Sequence, residues 1–325
     1  MEVSFMDALT RVRNAMKKLP VDRVPAGFLK HFEDQTDNTV TGQAEWALKT
    51  GMDILTIELD GYMEFASETP LRTTKDWGSI RPHKKTDHYF VGQYDRASRI
   101  AEKLGTNCAS IYSFFSPYSV IKHTVGGEHL VNELYKEDPK AMTEAMKVIE
   151  EDNLALVDMI KDSGVTGAAI SFQNAEEWRF TSEEYREILT PWDKRLLGAV
   201  REGFEYVISH LCSWGNEPNH MDVWKDYDHM CVNWGVHIER DLPTLSAART
   251  YFDSNPSIMG GFDVRPGKLI VTGTEGEIKN YTKALIRGFG TEGFLIGCDC
   301  SLQDDTPDQN IQYVIEATKE FAQGI

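Results

Sequence analysis

A chain of 325 residues that is 41% hydrophobic and 26% charged can bury a large core, which excludes global disorder. Its formal charge of −17 and pI near 5.0 would repel a polyphosphate or an anionic bilayer, so neither nucleic acid nor a membrane surface is expected as a partner. No run approaches the roughly 20 apolar residues that cross a bilayer, the opening Met1-Glu2-Val3-Ser4-Phe5 has no basic segment leading into an apolar one, and five cysteines, an odd number, fit a reducing cytoplasm better than a disulfide scaffold.

In chain order, eight short apolar runs read as strands: 24–28, 54–59, 108–114, 167–172, 206–210, 229–233, 258–262 and 293–298. Most show little polar–apolar alternation, as expected of parallel strands buried on both faces. The stretch 61–90, rich in Thr, Lys, Asp and His, is the most irregular and is expected to lie over the barrel mouth as a lid or loop. Asp138-Pro139 supplies a cap and an N1 proline for a helix that stops at Gly164. Thr181-Ser182-Glu183-Glu184 and Thr274-Glu275-Gly276-Glu277 read as capping boxes, and Thr306-Pro307-Asp308-Gln309 as a third that opens the last helix. Eight β units alternating with helices predict a single-domain (β/α)8 TIM barrel over 1–325, with a doubly wound open sheet as the other possibility. There is no Gly-rich dinucleotide fingerprint and no P-loop.

Barrel enzymes build their sites at the C-terminal ends of strands. The polar residues there are Lys30 and His31, Glu58 and Asp60, Ser113 and Ser116, Ser171 and Gln173, His210 and Cys212, Asn233, Asp263, and Cys298 with Cys300. In a strand, residues i and i+2 project to one face. His210-Leu211-Cys212 therefore aims an imidazole and a thiol at one point, and Cys298-Asp299-Cys300 repeats that geometry on the last strand. A His/Cys/Cys set with one open position is the pattern of catalytic zinc, and soft thiolates favour zinc over magnesium or calcium. Glu58, Asp60 and Gln173 are the candidate catalytic residues, with Asn174 a further hydrogen-bonding candidate. Asp263 is a candidate for orienting His210, or simply begins a turn. His220, His229 and His237, among Trp214, Trp224 and Trp234, read as buried packing or as a pocket for a flat ligand. Asp226 and Asp228 precede a strand, at the far end of the barrel, and are discounted as ligands.

His210-x-Cys212, the distant Cys300, and Thr306-Pro307 with Asn310 resemble the uroporphyrinogen decarboxylase superfamily, and within it the zinc-dependent, corrinoid-linked methyltransferases such as the methylcobamide:coenzyme M methyltransferases. Asp22-Arg23-Val24-Pro25, Gly126-Gly127-Glu128 and Gly260-Gly261-Phe262-Asp263 are similar too, so the likeness covers essentially the whole chain. The resemblance implies a (β/α)8 barrel with His210, Cys212 and Cys300 as zinc ligands. It favours Cys300 over Cys298, since the family's late ligand lies six residues before the Thr-Pro of the last helix; Cys298 stays the second choice.

It further implies a choice of reaction. The decarboxylases hold their porphyrinogen with an arginine-rich loop after the first strand. Here that segment is Phe28-Leu29-Lys30-His31-Phe32-Glu33-Asp34-Gln35, with two acids and no arginine, which would repel a polycarboxylate. The expectation is methyl transfer between a corrinoid and a small thiol or a methylated (methoxy, methylamine or methylthio) substrate. The corrinoid-domain motif Asp-x-His-x-x-Gly is absent, so the corrinoid would arrive on a separate protein. A decarboxylase, or a non-catalytic barrel whose zinc is closed by a fourth ligand, are the competing expectations.

Overall fold

The computed structural model describes residues 6–32, 37–57 and 64–324, apart from the side chains of 37, 38 and 214. Eight parallel strands follow one another in a single sheet: β1 (Gly27–Phe28), β2 (Ile54–Ile57), β3 (Ala109–Phe115), β4 (Gly167–Phe172), β5 (Tyr206–Leu211), β6 (Cys231–Trp234), β7 (Ser257–Phe262) and β8 (Phe294–Cys298). A parallel bridge between Ala26 and Ile296, in which Ile296 N donates to the Pro25 carbonyl at 2.9 Å, joins β8 back to β1. The sheet is thus a (β/α)8 barrel and not an open, doubly wound sheet.

The strand positions match the apolar runs, with shifts at the ends. β1 is only two residues long, and β6 starts at Cys231, not 229. His229 stays before the strand because its Nε2 pairs with the Trp224 carbonyl at 2.9 Å, inside a cage of Phe172, Tyr227 and Phe252 rings. Thr181 and Thr274 form the expected capping boxes, and Asp138 caps the helix Pro139–Ile160. The third box does not form: the last helix, Asp308–Ala322, has Pro307 at its N-cap, and no side chain caps it.

The interior of the barrel is divided along its axis. Towards the N-terminal end, Ile54, Ile111, Ile208, Met259 and Leu295 form an apolar cluster, closed from below by Val12, Ala15 and Met16 of the helix Ala8–Met16. Ser257 ties this plug in place by donating to the Ala15 and Met16 carbonyls at 3.2 and 2.9 Å, which satisfies groups that a helix end leaves open. A larger cluster packs the outer faces of the strands against the helices.

The expected lid over 61–90 is a packed cover where it is described. Phe65, Leu71, Trp77 and Ile80 are buried, and His83 pairs with Asp152 of the helix Pro139–Ile160 at 2.5 Å. Among the described residues, no helix is long and apolar enough to cross a membrane.

Candidate metal centre

Parallel register sets the floor of the site. Ser171 lies opposite His210, and His210 opposite Asn233, so three polar side chains occupy one level on β4, β5 and β6. Every other residue of β4 and β5 is buried, while Ser171 and His210 are partly exposed at the mouth. Cys212 continues the ladder, its N–H donating to the Phe172 carbonyl at 2.9 Å. Cys300 follows β8 directly.

One ligand atom each from His210, Cys212 and Cys300 all lie within 4.8 Å of one another. Cys298 also lines the cavity but falls outside this group. The imidazole is oriented by Asn233, whose Oδ1 is 2.6 Å from His210 Nδ1. The Asn233 amide nitrogen donates to the Met259 and Cys298 carbonyls, at 3.1 and 2.8 Å. Carbonyls only accept, so the amide oxygen must face the histidine, His210 Nδ1 must carry the proton, and the Nε2 lone pair is the one left to bind a metal. Asp263, the residue expected to orient His210, is instead engaged by Arg265 at 2.7 Å.

The two thiols interact directly. Cys212 donates to the Cys300 sulfur, which holds the Cys300 thiol well below the ordinary range and, together with burial, pushes Cys212 up. Cys212 is anchored from behind: Asn219 donates to its carbonyl at 3.2 Å and to Glu239 Oε1 at 2.6 Å. Glu239, also bonded to Ser213 Oγ, is a buried carboxylate raised by desolvation. On the Cys300 side, Asp299 points away from the cavity and lies 2.7 Å from His237 Nδ1, which raises His237.

The cluster opens into a cavity whose wall includes Phe28, Phe115, Ile208 and Met259 together with His31, His123, Ser113 and Gln173. Gln173 Nε2 donates to Ser171 Oγ at 3.2 Å, on the Cys212 side. Ser301 and His31 pair at 2.9 Å on the Cys300 side. Burial, with Lys122 beside it, pushes His123 down to about 3, so that its ring is neutral near pH 7.

Several expected residues stand elsewhere. Glu58 and Asp60 lie outside the described residues. Asn174 is turned from the cavity, with φ 72° and its amide donating to Ser119 at 2.9 Å. Trp224 and Trp234 are buried packing, bonded to Tyr185 and to the Leu242 carbonyl, and the Trp214 side chain is outside the description. Asp226 and Asp228 form exposed ion pairs with Lys194 and Arg201. The roles of Asn233, Asn219, Glu239 and His123 were not expected from sequence; for Asn233 the one available signal is its place at a strand end.

The model of the family described as uroporphyrinogen decarboxylase (URO-D) matches residues 50–321. The methylcobamide:CoM methyltransferases MtbA of Methanosarcina acetivorans and Methanosarcina mazei are 22% and 23% identical, over 68% and 71% of this chain. The matches span 61% and 64% of those relatives' own length. Among solved structures, a methyltransferase from Methanosarcina mazei superposes with a TM-score of 0.74 at 15% identity, covering 97% of this chain and 99% of that one. A B12-independent methionine synthase from Shewanella sp. W3-18-1 follows at 0.55 and 12%, covering 93% and 98%. At such identities these structures speak for the barrel alone, but the family match takes in most of the chain: the protein belongs to the uroporphyrinogen decarboxylase (URO-D) family.

Proposed function

We propose that this chain is a zinc-dependent methyltransferase that moves a methyl group between a corrinoid carried by a separate protein and a small thiol or methylated (methoxy, methylamine or methylthio) substrate. The observation that carries the reading is the convergence of His210, Cys212 and Cys300 at the head of an otherwise mostly apolar cavity. The donor set fits zinc: one imidazole with its Nε2 lone pair presented, and two thiols within reach of the same point. The names of the MtbA relatives support the same chemistry.

Bound there, zinc would keep an incoming thiol in its nucleophilic thiolate form, or act as a Lewis acid on the heteroatom of a methylated substrate. The chain's own groups set the conditions. Cys212 and Cys300, as cysteinates, would offset the charge of a divalent ion held there and so leave a bound substrate sulfur nucleophilic. Asn233 fixes the tautomer and direction of His210. Asn219 and Glu239 hold the loop that carries Cys212. Gln173 and Ser171 offer hydrogen bonds beside the cluster, while Phe28, Phe115 and Met259 keep water out. Glu58 and Asp60 are proposed as further contacts to the substrate. We place the reaction in the cytoplasm, where thiols stay reduced.

The test is methyl transfer from methylcobalamin, or from a methylated corrinoid protein, to small thiols both charged and uncharged, followed in the corrinoid spectrum. Zinc-loaded parent protein should demethylate the corrinoid, and the Cys212→Ser, Cys300→Ser double variant should not. Equal rates in both would remove the metal cluster from the reaction.

A further inference from the structure

Each of the three donors is held by a contact from behind, and the three contacts start from one short stretch of chain. Asn233, near the end of β6, fixes His210 Nδ1. Glu239 accepts from Ser213 Oγ at 2.5 Å, from the Asn219 N–H at 2.9 Å and from the Asn219 amide at 2.6 Å, which ties down the loop that leaves Cys212. Asp299, the residue before Cys300, is buried. Among the described residues both hydrogen bonds to its carboxylate come from His237, the backbone N–H at 3.1 Å and Nδ1 at 2.7 Å, and both reach the same Oδ2.

Asn233, His237 and Glu239 thus lie within one turn of chain that follows β6. The turn is tight because the Gly235 carbonyl accepts from the N–H groups of Ile238 and Glu239 at 2.8 and 2.9 Å. Gly235 presses against the Cys212 loop: a Cβ there would come within 2.5 Å of Ser213 Oγ and 3.2 Å of Ser213 Cβ. On its other side the segment reaches β8, which only β7 separates from β6. There it holds two successive residues ahead of Cys300, the Cys298 carbonyl through Asn233 at 2.8 Å and the Asp299 carboxylate through His237. Neighbouring residues of an extended chain project to opposite sides. Fixing Asp299 away from the cavity therefore leaves Cys300 turned into it.

We infer that residues 233–239 are a single positioning element for the metal cluster, in which His237 is the member that sets Cys300, acting through Asp299. This rests on the metal-dependent reading above and deepens it. The placing of the Cys300 sulfur against the other two donors is set from outside the cavity, by a partly exposed imidazole that is itself no ligand.

The experiment titrates cobalt(II) into the metal-free full chain with its thiols reduced and air excluded. The visible bands of bound cobalt report its geometry, and the thiolate-to-cobalt charge-transfer band reports bound sulfur. His237→Ala is expected to lower the charge-transfer band and to bind cobalt about 10–100-fold more weakly than the parent. His237→Asn keeps an N–H donor near the place of Nδ1 and should restore both. Urea unfolding of the metal-free proteins accompanies the titration; should the alanine variant not fold, His237→Phe, which keeps the bulk of a ring without the donor, takes its place. A parent-like spectrum and affinity in the variant without the donor overturns the inference and leaves the metal site standing. Loss in His237→Asn as well overturns it too, because the imidazole would then serve packing and not the bond to Asp299. A parent that binds no cobalt removes the metal-dependent reading, and the inference with it.

Discussion

At the N-terminal end of the barrel, the carboxylate of Asp53 accepts from Arg11 at 2.6 Å, from Arg23 at 2.7 and 2.8 Å, and from the Ala26 N–H at 2.9 Å. Arg11 also holds Asp22 at 2.7 Å. At the C-terminal end, His210, Cys212 and Cys300 are turned toward one another, and the groups that position them sit behind them. Both ends carry buried polar side chains. One end pairs opposite charges with each other; the other gathers donors of one kind that share an affinity for a soft cation. We read the first arrangement as serving the fold and the second as the proposed site of chemistry, in keeping with the usual division between the two faces of such barrels.

Removing the donors should separate the two ends most sharply. The Cys212→Ser, Cys300→Ser double variant is expected to fall from about one zinc per chain to almost none, read by elemental mass spectrometry beside the parent. Its urea unfolding without metal should stay within about 1–2 kcal/mol of the metal-free parent, because a hydroxyl replaces a thiol of similar size at a partly polar place. A loss of folding in the double variant would make the cluster structural. The converse change is Asp53→Ala, which strands the buried Arg23 guanidinium and leaves Arg11 with Asp22 alone. It should cost about 3–5 kcal/mol in urea unfolding, while the folded fraction keeps the parent's zinc content. A fall in zinc per folded chain would show that the two ends are not independent.

Asp193 tests a third arrangement, a buried acid with neither a cation nor a metal. Its carboxyl accepts from Tyr185 and Tyr227 at 2.7 and 3.2 Å, and burial raises it to about 7. An unfolded chain releases this proton near 4, whereas the folded protein keeps it up to about 7. Between those values the folded state binds more protons, so stability from this group is complete below pH 4, declines as the pH rises to 7 and is level above. Asp193→Asn should flatten that slope, removing on the order of 4 kcal/mol of pH dependence. An unchanged slope in urea unfolding across pH 4–7 would count against the assignment.

Much of this was legible in the sequence, and the reason differs by feature. The strands announced themselves because a parallel strand buried on both faces has to be written as a short apolar run. His210 with Cys212 needed only the two-residue period of a strand. Asp22-Arg23-Val24-Pro25 could be seen as a resemblance but not interpreted: Arg23 meets Asp53 across 30 residues of chain, and Arg11 meets it across 42, so the ion network exists only once the barrel has closed. Glu239 was invisible for the same reason, since it supports Cys212 through Asn219 from a different loop. The third capping box failed because Pro307 fixes the backbone at the position where a side-chain cap would act.

Asn233 shows that failure most instructively. The sequence offers Asp263 as a candidate to orient His210, or as the start of a turn. The barrel gives that place to an amide: Asn233 spans the interior from β6 to the carbonyls of Met259 and Cys298, which only a group with both a donor and an acceptor can do. Replacing it with alanine should release the imidazole and weaken zinc binding by about 10–100-fold, measured by competition with a chelator, with the zinc-to-protein ratio still reaching the parent's at saturation. Asn233→Asp separates orientation from charge. A carboxylate could still accept from His210, but it would face two carbonyl oxygens without a proton to offer. If orientation is what Asn233 provides, the aspartate variant should bind zinc nearly as weakly as the alanine variant; if only the acceptor matters, it should bind at least as tightly as the parent, and the amide's two carbonyl contacts would then be no more than packing.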